Sequence, residues 1–171
     1  RPPHGPRPHA QTGVALSPPG RQLAHHARDH WPSHAGDLHV LDLETRADRR
    51  LTATPEHEDP PVWSPDGTRL AYLSATADAA NGALCTIAND GTDRRCVPAP
   101  TDFAMRYLMS WRDDDVLLGQ AISRRTGEPA LVAVPLDASE ARLVDVGAED
   151  YVSDPPGTLV LCRCDVPGLS G

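Results

Sequence analysis

The sequence predicts an all-β protein of the propeller type: a partial β-propeller of about three and a half four-stranded blades, either an open arc or a fragment of a larger ring. A turn motif recurs at nearly constant spacing, and the apolar segments that follow it recur in step. Proline and glycine, 18 and 13 of the 171 residues, punctuate the chain too often for long helices.

The turn motif sets the period. Ser17-Pro18-Pro19-Gly20 returns 47 positions later as Ser64-Pro65-Asp66-Gly67. A weaker echo, Ser110-Trp111-Arg112-Asp113, follows after 46 positions, and Asp154-Pro155-Pro156-Gly157 after a further 44. Proline fixes φ early in such a turn, and glycine tolerates the positive φ that a hairpin demands. An apolar segment follows each turn, at 22–24, 70–73, 116–118 and 159–161. A second begins at Leu38, Leu84 and Leu131, 46 and 47 apart, and a last strand ends at 49–51, 94–96 and 141–143. Each unit thus holds about four short strands joined by tight turns. Blades stack face to face, so both faces of a strand are buried, and the near-continuous apolar run at 38–43 is expected. A β-sandwich would need no constant period. The units fall at 13–53, 58–98 and 103–146, with a partial fourth at 148–163.

These residues resemble a known family. Pro61-Val62-Trp63-Ser64-Pro65-Asp66-Gly67-Thr68-Arg69-Leu70-Ala71-Tyr72-Leu73-Ser74 resembles the signature of the TolB-like, WD-type propeller repeat. Asn89-Asp90-Gly91-Thr92-Asp93-Arg94-Arg95 resembles the turn that closes it. The match is strong over 58–98, moderate over 13–53 and weak over 103–146, where Trp111 stands for the motif proline and Asp113 for the glycine. The resemblance implies a propeller fold and an extracytoplasmic location: periplasmic, cell-surface or secreted. It implies no single activity, since the repeat occurs in binding proteins and as an accessory domain of some peptidases.

Composition narrows the partners. The formal net charge of −8 argues against nucleic acid, which needs a basic face. No apolar run approaches the roughly 20 residues of a membrane helix, so no membrane insertion is expected. Residues 1–12 read as a flexible Pro-rich leader, and 165–171 as a polar tail. The chain opens on Arg1 without a signal-peptide pattern, as a mature segment or an excised piece would. Propellers close with about four to eight blades, so the missing blades are expected in a longer chain or from self-association that completes the ring.

Cys85 and Cys96 fall on the two strands of one hairpin. If Asp90-Gly91 is a two-residue turn, the two cysteines face each other at a disulfide distance. Two small buried hydrophobes are the plain alternative. A bridge would favour an oxidising compartment. Cys162 and Cys164 share a strand face and suit neither an in-strand bridge nor a zinc knuckle.

All eight histidines lie within the first 57 residues. The loop carrying His30, Trp31 and His34 shares a propeller face with the connection carrying His57, a composition that suits a transition metal. Pro32 keeps His30 and His34 off a common helical face and no metal spacing is present, so a solvated His-rich loop pair is expected, with no metal and no cofactor. There is no Gly-x-Ser-x-Gly elbow, and no histidine follows position 57 to serve a downstream serine. Asp66 reads as a turn residue. Trp63 and Trp111 are expected to pack between blades, whereas Trp31, on an irregular loop, is the best candidate contact residue. The expectation is therefore a non-catalytic binding module that presents loops 28–36, 75–82 and 123–128 to a protein or peptide partner. The rival is a piece of the propeller that gates a prolyl-oligopeptidase-type serine peptidase, its catalytic domain lying elsewhere.

Overall fold

A computed structural model describes residues 13–27, 36–75, 82–137, 139–146, 150–153 and 159–162. The described residues form successive antiparallel sheets, each made from one stretch of sequence. The first joins β1 (Val14–Leu16), β2 (Gln22–Ala27), β3 (Asp37–Asp42) and β4 (Asp48–Arg50) in chain order. The second holds β5 (His57–Glu58), β6 (Val62–Trp63), β7 (Arg69–Ala75), β8 (Ala83–Ala88) and β9 (Arg95–Pro98). The third holds β10 (Phe103–Asp113), β11 (Val116–Ser123), β12 (Pro129–Pro135) and β13 (Arg142–Val146). A pair, β14 (Asp150–Ser153) and β15 (Leu159–Cys162), follows. This is the all-β partial propeller that the repeat predicts.

The inner edge of the second blade departs from the simple unit. Both β5 and β6 pair with β7, so one inner strand is broken in two. Asp59-Pro60-Pro61 lies at the break, where two prolines offer no N–H to the ladder. The third blade has no proline in that stretch, and β10 runs unbroken for 11 residues. It absorbs its length through register shifts against β11, between Met105 and Tyr107, Leu108 and Ser110, and Trp111 and Asp113.

The first two turns are equivalent. Gly20 N–H donates to Ser17 O at 2.7 Å and Gly67 N–H to Ser64 O at 2.9 Å, with φ of 72° and 71° at the two glycines. The third turn is displaced. Strand β10 continues through 110–113, and the chain reverses at Asp114 and Asp115. The alignment that set Trp111 against the motif proline is corrected accordingly. Trp111 pairs with Leu117 as Trp63 pairs with Leu70, so the two tryptophans are counterparts.

Both occupy seams between blades, as expected. Trp63 packs with Ala24, Leu38 and Val40 of the first blade and with Leu70, Tyr72, Cys85 and Ile87 of its own. Trp111 packs with Ala71, Leu73 and Leu84 of the second blade and Leu117, Ala121 and Val132 of the third. Along β7, Leu70 and Tyr72 thus face one neighbour while Ala71 and Leu73 face the other. That is why the strand is apolar at every position from 70 to 73.

The first seam also buries a carboxylate. Glu58 is fully buried, and its oxygens accept from the hydroxyls of Thr52 and Thr54 and from Leu38 N–H across the seam. Burial pushes its pKa up, against hydrogen bonds that favour the charged form.

Cys85 and Cys96 are disulfide-bonded, with Cα atoms 4.1 Å apart. The turn beneath them is not a two-residue turn at Asp90-Gly91. Gly91 N–H donates to Ala88 O and Ala88 N–H to Thr92 O, both at 2.9 Å, leaving three residues in the loop. Asp93, with φ of 51°, takes up the extra residue, and Cys85 still meets Cys96.

Two outcomes are expected. Because Glu58's folded pKa is raised, the stabilisation from its proton is complete below the unfolded carboxylate range and is lost as pH rises through the folded value. Urea unfolding midpoints from about pH 4 to pH 8 should therefore show that Glu58→Gln removes part of this loss, leaving a flatter profile than the wild-type chain. Reducing the bridge, or the pair Cys85→Ala and Cys96→Ala, should cost about 2–3 kcal/mol, read as a fall in the thermal midpoint.

Candidate functional site

The loop-bearing face is described only in part. Trp31, His30 and His34 lie outside the described residues, as do 76–81. His57 is described. It begins β5, its Nε2 stands 3.2 Å from Asp59 Oδ1, and its ring meets His26 edge-on with centroids 6.1 Å apart. A parallel bridge joins Gly36 to His57, so the chain leaving the first loop meets the connection between blades. Burial raises Asp59's pKa, and His57 pulls it back down.

Several carboxylates serve local structure. Asp66 accepts from Ser64 Oγ at 2.6 Å, Thr68 N–H at 3.0 Å and Thr68 Oγ1 at 2.7 Å, which hold its pKa below the usual range. Asp90 repeats the pattern with Thr92. Glu56 accepts from the Ser74 hydroxyl and from Arg94, whose Nε–H donates to Tyr72 Oη at 2.7 Å. These contacts lower Glu56's pKa, while burial raises Tyr72's.

On the face opposite the long loops, a cleft of about 590 Å³ opens between the second and third blades. Its walls include Arg69, Arg95, Asp93, Asp114, Asp115 and Asp137. Asp93 accepts from Arg69 Nη1 and Arg95 Nε, each at 2.8 Å, and the first of these contacts does most to lower its pKa. Leu84, Val97, Val116 and Leu136 line it beside these charged groups, and it is half open to solvent, a shape for an extended chain and not for an enclosed ligand.

A second cluster lies on the outward face of the first blade. His25 Nε2 stands 2.9 Å from Asp48 Oδ1, and His39 Nδ1 stands 3.0 Å from Asp48 Oδ2. The ligand atoms of all three residues lie within 4.8 Å of one another. Hydrogen bonds from the imidazoles, His25 first, hold Asp48's pKa below the usual range despite some burial. Sequence reasoning missed this grouping because it sought metal ligands on loops. Position parity within strands would have shown His25 and Leu23, or His39 and Leu41, on one face. Pairing His25 with His39 needs the register across the 28–36 loop, which no turn motif sets.

No family model and no curated protein matches the chain. Solved structures do. An oligogalacturonate lyase in complex with manganese matches with a TM-score of 0.65 at 14% identity, over 84% of this chain and 44% of that one. TolB from Acinetobacter baumannii matches at 0.61 and 13%, over 90% and 38%. The β-propeller domain of the Trilobed protease from Pyrococcus furiosus, described as having an open velcro topology, matches at 0.52 and 17%, over 74% and 39%. The chain thus spans less than half the length of each, and identities this low speak for the fold alone. That fold is a TolB-like β-propeller, of which the described residues form three blades and two strands of another.

Proposed function

We propose that the chain is a non-catalytic binding module that presents its loop face and its interblade cleft to a protein or peptide partner outside the cytoplasm. The observation that carries this reading is the use made of its polar groups. Asp66 and Asp90 close turns, Glu58 seals a seam, and Glu56 and Tyr72 are engaged by Arg94. Chemistry needs an acid, base or nucleophile free to meet a substrate, and these groups are held by the fold instead. The cleft wall mixes arginines and aspartates with Leu84, Val97, Val116 and Leu136, which suits the backbone amides and the mixed side chains of an extended peptide. The Cys85–Cys96 bridge supports an oxidising compartment. Among the described residues no helix is long and apolar enough to cross a membrane.

Among the described residues no strand covers the face of the first blade that carries Leu16 and His25, which supports self-association, or completion by further blades of a longer chain. In the latter case the gating propeller of a peptidase remains the rival reading, and the match to the β-propeller domain of the Trilobed protease supports it as far as a propeller within a protease.

The test is a random peptide display library panned against the immobilised chain, with selected peptides titrated by fluorescence anisotropy. Binding in the micromolar range is expected. Trp31→Ala, or Asp114→Asn with Asp115→Asn in the cleft, should weaken it about tenfold, or about 1.4 kcal/mol. Enrichment of no sequence at all would reject the binding reading. Cleavage of library peptides by the purified chain would replace it with an enzymatic one.

A further inference from the structure

We propose that His25, His39 and Asp48 form a three-ligand site for a divalent transition metal of the zinc class on the outward face of the first blade. The three residues come from three adjacent strands. His25 on β2 lies directly opposite His39 on β3. Asp48 on β4 lies opposite Leu41, two residues beyond His39 and therefore on the same face of the sheet. Ladder hydrogen bonds hold all three backbones, so the donors converge without help from a mobile loop.

The distances suit an ion in the middle. Asp48 offers one oxygen to each imidazole, at 2.9 and 3.0 Å. Ligands about 2.0–2.1 Å from a tetrahedral zinc stand about 3.4 Å apart, so each carboxylate–imidazole pair need open by only a few tenths of an ångström. The widest separation in the group, 4.8 Å at most, must close by about 1.4 Å, which imidazole torsions can supply. In the absence of metal the carboxylate accepts an N–H from each ring. On metal binding each of those protons passes through solvent to the other nitrogen of its ring, which leaves His25 Nε2 and His39 Nδ1 as neutral donors to the ion.

The donor set selects the metal class. Two imidazoles and one carboxylate suit zinc and its neighbours in the first row, not magnesium or calcium, which take oxygen ligands. The nearby cations are directed elsewhere. Arg50, opposite His39, donates to Asp37 and to Thr52 O, while Arg49 reaches Asn89 O. Asp48 is thus left to the two histidines among the described residues. The side chains are partly exposed, His25 at 25%, His39 at 17% and Asp48 at 43%, so an ion has a way in. Its remaining position faces outward, where water or a donor from a covering surface completes the shell.

The experiment titrates the full chain with Zn2+ by calorimetry and with Co2+ by absorption, since the Co2+ d–d bands report ligand geometry. One equivalent is expected to bind with a Kd of about 10 µM or tighter and to give the intense visible bands of four- or five-coordinate Co2+. His25→Gln, His39→Gln and Asp48→Asn should each weaken binding about tenfold or more. The six other histidines are a competing source of metal affinity, so a control replaces five of them, His4, His9, His30, His34 and His57, with glutamine, keeps His26, and should bind as the wild type does. Circular dichroism and thermal midpoints confirm that each variant is folded. Unchanged affinity in the folded double variant His25→Gln/His39→Gln overturns the proposal. So does loss of binding in the five-histidine control, or a wild-type chain that takes up no Zn2+.

Discussion

One interaction recurs at two successive seams and joins the second and third blades each to the blade before. Trp63 Nε1–H donates to Ala15 O at 2.8 Å, and Trp111 Nε1–H donates to Val62 O at 3.2 Å. In each case an indole on the inner strand of one blade reaches a carbonyl on the inner strand of the blade before. The acceptors lie one position before the tryptophan site of their own blade, since Leu16 is the counterpart of Trp63. The ring supplies most of the stabilisation. Removing a buried aromatic costs about 3–5 kcal/mol, whereas a single net hydrogen bond contributes about 1. The N–H instead sets direction: a buried indole needs an acceptor, and the one it finds fixes the rotation of one blade on the next.

The seams built on this tie differ in character. The second is apolar, with leucine, valine and alanine around Trp111. The first adds a fully buried carboxylate at its loop end, where Glu58 reaches across to the backbone of β3. A buried polar group with three donors confers register more than stability, because any slip leaves it unsatisfied at a cost of about 1–3 kcal/mol. Glu58 can serve this way because Pro60 and Pro61 break the inner strand just after it. The break lets β5 pair with the far end of β7 and places the carboxylate over Thr52 and Thr54.

How much of this is legible in the sequence depends on the range of the interaction. Turns are local, so Ser-Pro-x-Gly announces two of them, and the apolar strands follow at a fixed offset. Two-sided burial is legible too, because β7 and β12 lack polar alternation. Register is not, since it depends on how many residues a turn consumes. The Asp93 bulge and the displaced turn at Asp114 and Asp115 show this, and the misplacement of Trp111 follows from it. Cys85 and Cys96 nevertheless lie opposite each other, because the three-residue loop and the bulge offset one another. The histidine–aspartate cluster was illegible for a related reason: its members meet only once three strands are in register across two connections.

The outward face of the first blade brings these threads together. Leu16 occupies the position that holds a buried tryptophan in the next blades, yet it is 57% exposed, and Val14 beside it is 49% exposed. Both share their face with His25, His39 and Asp48, since Val14 pairs with His25 and Leu16 with Leu23. Any surface that covers this face meets an apolar inner edge and a polar, ligand-bearing centre. A purely apolar cover would bury the Asp48 carboxylate with only two imidazole donors, and a buried charge that is poorly compensated costs several kcal/mol. A cover carrying a donor for a shared cation would neutralise that charge and add a bond across the seam. The chemistry of this face therefore discriminates among covers, whether a further blade or a second copy, more sharply than its exposed leucine and valine do.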